Sequence, residues 1–131
     1  MKLFTLATYI ASATALGINC RGSTVCSGAE NGLQTIHEQI SDMVNSGNGG
    51  RWFNEGDMIA CYGFQTGSIC AFYQKGASGT AQQALDHVQK LLDHGCRACG
   101  SDPTQDGNNV NAGELTVNAA GSPCCVGTCQ C

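Results

Sequence analysis

Ten cysteines in a chain of 131 residues constrain this sequence more than any other feature. An even, high count in so short a chain reads as a disulfide framework made in an oxidising compartment. Eighteen glycines and 6% aromatic residues imply a modest core, so crosslinks must supply stability that apolar burial does not. Other uses of the thiols fit poorly. Cys96-x-x-Cys99 with His94 lacks a second half-site at zinc spacing. A redox CxxC sits at a helix N-terminus, where the dipole favours a thiolate, whereas this one follows an expected helix C-terminus. No metal and no cofactor is expected.

The amino terminus points to secretion. Met1-Lys2 is a short positive segment, Leu3 to Ala15 is uncharged and apolar or small, and Ala13-Thr14-Ala15 is an A-x-A cleavage pattern. Residues 1–15 are therefore expected to be a signal peptide, too short for a membrane span of about 20 residues. Residues 16–131 are expected to form one secreted, extracellular, monomeric domain without a membrane anchor. Losing Lys2 moves the formal charge from −4 to −5. Such an acidic chain offers no excess of cations to phosphates, which excludes nucleic acid as a partner class. A 42% hydrophobic content excludes a disordered tail.

Local patterns predict an α+β fold in the order β-α-β-β-α-β. A brief first strand is expected within 16–26. Ser27-x-x-Glu30 has capping-box spacing, and Leu33, Ile36, Ile40, Met43 and Val44 form a helical stripe over about 30–46. Residues 48–56 read as a loop around Arg51-Trp52-Phe53. Residues 57–63 and 67–74 read as a hairpin. Thr80-x-x-Gln83 caps a second helix over about 81–94, with Gly95 as its stop. Asp102-Pro103 and Asp106-Gly107 are turn signals, and Glu114 to Asn118 alternates as a strand.

Three blocks carry a more specific message. They are Leu16-Gly17-Ile18-Asn19-Cys20-Arg21-Gly22-Ser23, then His94-Gly95-Cys96-Arg97-Ala98-Cys99-Gly100-Ser101-Asp102-Pro103, then Leu115-Thr116-Val117-Asn118. In sequence and order they resemble the fungal killer toxin four family, small secreted killer proteins first known from smut fungi. The resemblance runs from Leu16 to about Cys124, and the cysteine-rich end lies outside it. It implies an α/β sandwich, with two antiparallel helices packed on an antiparallel sheet. It also implies a toxin without catalytic residues that arrests competing fungi by blocking calcium channels or calcium uptake. The alternative is a non-toxic secreted effector of the same fold, binding at the plant host interface.

The resemblance further implies the pairs Cys20–Cys96 and Cys26–Cys99. Cys61, Cys70, Cys124, Cys125, Cys129 and Cys131 remain. Either Cys61 bridges Cys70 and the tail closes on itself, or both strand cysteines reach into the tail. The second arrangement is favoured because it orders the tail. Cys124 and Cys125 are too close in sequence to pair with each other.

For target contact the candidates are Arg51, Trp52 and Lys75. Arg21 and Arg97 belong to the shared cysteine blocks and read as structural. An exposed Trp beside an Arg is a common interface anchor, but the expectation for Trp52 is that it folds back over the sheet. The family pattern has a basic run before the strand cysteine. Here Asp57-Met58-Ile59-Ala60 precedes Cys61. His87, Lys90 and His94 share one helical face, expected to be solvated, with Asp86 and Lys90 as an i,i+4 ion pair.

Overall fold

A computed structural model describes residues 16–131. The expected signal peptide, residues 1–15, lies outside them. The fold is α+β, with strands and helices in one core. The second helix, α2 (Ala81–Asp93), forms where the local code is complete. Thr80 Oγ1 accepts from the Gln83 amide, and the Gln83 side chain accepts from the Thr80 amide. Ala84, Val88 and Leu91 recur at helical spacing and are fully buried. Gly95, at φ +99°, then turns the chain in a conformation other residues resist.

The first helix, α1 (Gly32–Met43), starts later than its sequence pattern suggests. Ser27 does not cap it. Its hydroxyl donates to the Thr24 carbonyl inside a 3-10 turn, Thr24–Ala29, and Glu30 takes φ +45°. The turn carries Cys26, whose bond to Cys99 holds the segment against the end of α2. Leu33, Ile36, Ile40 and Met43 remain the buried stripe. After Met43 the helix widens through Val44–Asn48 and breaks at Gly47, at φ +97°.

Among the described residues, seven strands follow in chain order. They are β1 (Trp52–Phe53), β2 (Ala60–Phe64), β3 (Gly67–Gln74), β4 (Gly79–Thr80), β5 (Gly100–Pro103), β6 (Glu114–Ala119) and β7 (Cys129–Gln130). A five-stranded antiparallel sheet has the order β5-β6-β3-β2-β7, and β1 pairs with β4 in a separate ribbon. Alternation along β3 sends Ile69, Ala71 and Tyr73 into the core shared with both helices. Leu115 and Val117 join them from β6. The first strand expected within 16–26 reduces to one bridge, Asn19 opposite Ser101. Gly100 sits under that bridge, where a Cβ would stand 2.6 Å from the Asn19 carbonyl oxygen.

Cys70 faces away from the helices, paired in register with Cys61. The two are bonded, with α-carbons 4.1 Å apart. Cys20 is bonded to Cys96 and Cys26 to Cys99, with α-carbons 5.2 and 5.9 Å apart. The tail closes on itself through Cys124–Cys131 and Cys125–Cys129. The favoured arrangement, strand cysteines reaching into the tail, is therefore not adopted. The register makes Cys61 and Cys70 direct neighbours, so the hairpin bond forms locally. The tail is ordered by other means. Strand β7 adds to the β2 edge, with Cys129 opposite Cys61. Gly127 packs on Gly63 so closely that a Cβ there would lie 2.8 Å from the Gly127 α-carbon. The Cys124 and Cys131 sulfurs stand 3.7 and 3.9 Å from the Cys61 sulfur, and Cys61 and Cys70 are fully buried.

Candidate functional site

The β1–β4 ribbon brings the loop around residue 51 and the β3–β4 turn to one edge. Trp52 stands opposite Thr80, and Phe53 opposite Gly79. Successive strand residues face opposite ways, so only one aromatic can enter the core. Phe53 does, at 2% exposure, and Trp52 points outward at 56%. The expectation that Trp52 covers the sheet is thus reversed. Its indole nitrogen donates to Asn54 Oδ1 at 3.2 Å, which holds the ring at the surface.

Arg51 is less free than its loop position suggests. Its guanidinium stacks over the Phe53 ring at 4.7 Å and donates to the Cys131 carbonyl at 3.2 Å. It ties the tail to the ribbon. Lys75 is exposed at a turn position with φ +63°. The next amide, that of Gly76, donates to the Glu55 carboxylate at 2.8 Å. This edge therefore mixes Arg51 and Lys75 with exposed Glu55 and Asp57.

The polar face of α2 also differs from its sequence reading. His87 Nδ1 lies 2.5 Å from Asp102 Oδ2, with side-chain exposures of 15% and 6%. Asp102 projects from β5 toward the helices, so the pair pins α2 to the sheet. Asp86 accepts from the Gln82 amide nitrogen at 3.1 Å. No Asp86–Lys90 ion pair forms among the described residues. A polar hollow of about 250 Å³ lies beside His87, lined also by Tyr73, Ser78, Gln83 and Thr104. Tyr73 donates its hydroxyl to the Thr80 carbonyl at 2.9 Å. Burial, with the Asp86 charge second, pushes its phenol well above the usual range.

A larger hollow, about 580 Å³, opens where the two long-range disulfides meet the surface. Its rim carries Arg21 and Arg97, with Ser23 and Ser27. Reading both arginines as structural missed their exposure. Neither guanidinium meets a carboxylate within 4.0 Å among the described residues. Their meeting was implicit in the Cys20–Cys96 pairing, because each arginine directly follows one of those cysteines.

Residues 3–120 match the family model described as Kp4. The chain is also 42% identical over 110 residues to the KP4 killer toxin of Ustilago maydis P4 virus, an alignment covering 82% of each protein. The family match ends at Ala120, directly before Gly121-Ser122-Pro123 and the cysteine-rich tail.

Proposed function

The chain belongs to the Kp4 family, and on that premise we propose that it is a secreted toxin that arrests competing fungi by binding a surface target. Its function is killer-toxin-like, which rests on the 42% identity across 82% of both chains. The finer reading has three parts. Residues 1–15 are a signal peptide removed on export. The mature domain acts outside the cell as a monomer, by contact and without catalysis. The contact lowers calcium entry into the target cell through a calcium channel or another uptake route.

Several features support this reading. The ten cysteines are all paired, the state an oxidising exterior favours. No described helix is long and apolar enough to cross a membrane. Trp52 stands exposed beside Arg51, with Lys75 exposed in the turn that leads to β4, as an interface anchor would.

A growth-inhibition panel with and without added calcium tests the reading. Arrest that calcium relieves is the expected result. Arrest that calcium leaves untouched overturns the calcium step alone. If no fungus is arrested, the effector reading at a plant surface replaces the toxin one.

A further inference from the structure

The disulfide frame, and not charge attraction, brings Arg21 and Arg97 together. The α-carbons of Cys20 and Cys96 are 5.2 Å apart, so those of the next residues lie within about 13 Å of each other. Like charges held at one rim repel, so their convergence does not stabilise the fold on its own. The hollow between them is lined by no Asp or Glu. No described carboxylate lies within 4.0 Å of either guanidinium. At the ribbon edge, by comparison, Arg51 is engaged by the chain itself, and the Gly76 amide beside Lys75 donates to the Glu55 carboxylate. In a protein of net charge −4, the rim of this hollow carries two arginines that meet no carboxylate among the described residues.

We propose that this hollow receives an acidic segment of a partner protein, with the Arg21 and Arg97 guanidiniums pairing its carboxylates. The proposal rests on the reading of the chain as a protein that acts by binding a surface target. Guanidinium forks match carboxylates in a planar, two-bond geometry, stronger than a point-charge contact. The lining adds the Ser23 and Ser27 side chains and the Cys20–Cys96 and Cys26–Cys99 bonds. Such a mixture suits Asp or Glu side chains flanked by apolar residues. Two arginines fall short of the roughly four to eight clustered cations that hold a protein on an anionic membrane, which favours a protein segment over a lipid surface.

The test uses the disulfide-bonded protein and a synthetic peptide with consecutive Asp and Glu residues between apolar ones. Titration followed by 1H–15N spectra is expected to show saturable shifts at Arg21, Arg97 and the neighbouring amides. Affinity is expected to fall about tenfold or more in R21Q/R97Q and to hold in K90Q. Equal binding by R21Q/R97Q overturns the proposal, as do shifts of the same size at Lys90. Cosedimentation with phosphatidylserine vesicles that is lost in R21Q/R97Q, without peptide binding, assigns the hollow to lipid and overturns the protein partner. Both variants are exposed substitutions, and unchanged thermal melts check their folding. Growth arrest separates this proposal from the reading beneath it. If the unaltered protein arrests growth and R21Q/R97Q does so at the same dose, the hollow is not the contact and the toxin reading stands. If neither arrests growth yet peptide binding depends on both arginines, the toxin reading falls and the site stands.

Discussion

The frame from Leu16 to Ala120 and the tail from Gly121 to Cys131 use the same bond at very different loop lengths. In the frame, Cys20–Cys96 and Cys26–Cys99 close separations of 76 and 73 residues. In the tail, Cys124–Cys131 and Cys125–Cys129 close 7 and 4. Chain-entropy reasoning values the long closures at about 4–5 kcal/mol for the first bond and the short ones at about 2 kcal/mol each. The long bonds decide which distant segments meet, including the two arginines of the rim. The short bonds decide only the shape of a cap laid on the β2 edge. Crosslink number is therefore a poor guide to crosslink role.

The largest expected effect separates the two regions directly. Replacing Cys20 and Cys96 with alanine should cost about 4–5 kcal/mol of unfolding free energy in urea. Replacing Cys125 and Cys129 with serine should cost about 2 kcal/mol or less, with faster hydrogen exchange confined to the tail and β7. Equal losses from the two pairs would break the distinction.

Two glycine substitutions sharpen it at single-residue scale. Gly100→Ala places a Cβ 2.6 Å from the Asn19 carbonyl oxygen, and Gly63→Ala places one 2.8 Å from the Gly127 α-carbon. Overpacking of this kind costs about 1–3 kcal/mol. The first should lower global stability, because the Asn19–Ser101 bridge joins the amino-terminal segment to the sheet. The second should release the tail and leave the frame's melting transition nearly unmoved. Hydrogen exchange at Cys131, whose amide donates to the Ile59 carbonyl, reports the release.

Smaller again is Thr116→Val. The Thr116 hydroxyl is buried, bonds Ser101 Oγ at 2.7 Å and donates to the Gly100 carbonyl at 3.1 Å. Removing it leaves those groups short of a partner, for about 1–2 kcal/mol in a thermal melt. The frame also carries a pH-sensitive group in Tyr73. Burial, and then Asp86, raise its phenol above the ordinary value of about 10. The folded state thus holds a proton that the unfolded state releases. That contribution is complete below about pH 10 and falls as pH rises beyond it. Urea melts should weaken above that point, and Tyr73→Phe should flatten the decline.

Much of the frame is readable from local pattern. The Thr80–Gln83 capping box, the Ala84–Val88–Leu91 stripe and Gly95 sit within one stretch of chain, and α2 follows them closely. Strand β3 likewise matches its apolar run. What escaped depends on distant partners. Gly100–Pro103 has turn-forming composition and becomes a strand only because β6 offers it an edge, with Pro103 at its end. Ser27-x-x-Glu30 has the spacing of a cap, yet the Cys26–Cys99 bond commits that segment to a 3-10 turn. His87 looks solvated until Asp102 arrives from the sheet. At the ribbon, the choice between Trp52 and Phe53 for the core turns on β1–β4 pairing, which no local signal marks. The site followed the same rule. Arg21 and Arg97 could be named from their motifs, but that neither meets a carboxylate among the described residues belongs to the tertiary structure.

On the proposed toxin reading, the frame makes the contact that arrests growth and the tail only caps the β2 edge. Shortening residues 16–131 to residues 16–120 removes both tail disulfides and leaves every remaining cysteine its partner. The direct measurement is a dose–response for fungal growth arrest by residues 16–131 and residues 16–120, side by side. Arrest by both at the same dose is the expected result. Arrest by the longer protein only, with the three frame disulfides intact in the shorter one, or arrest by neither, would contradict it.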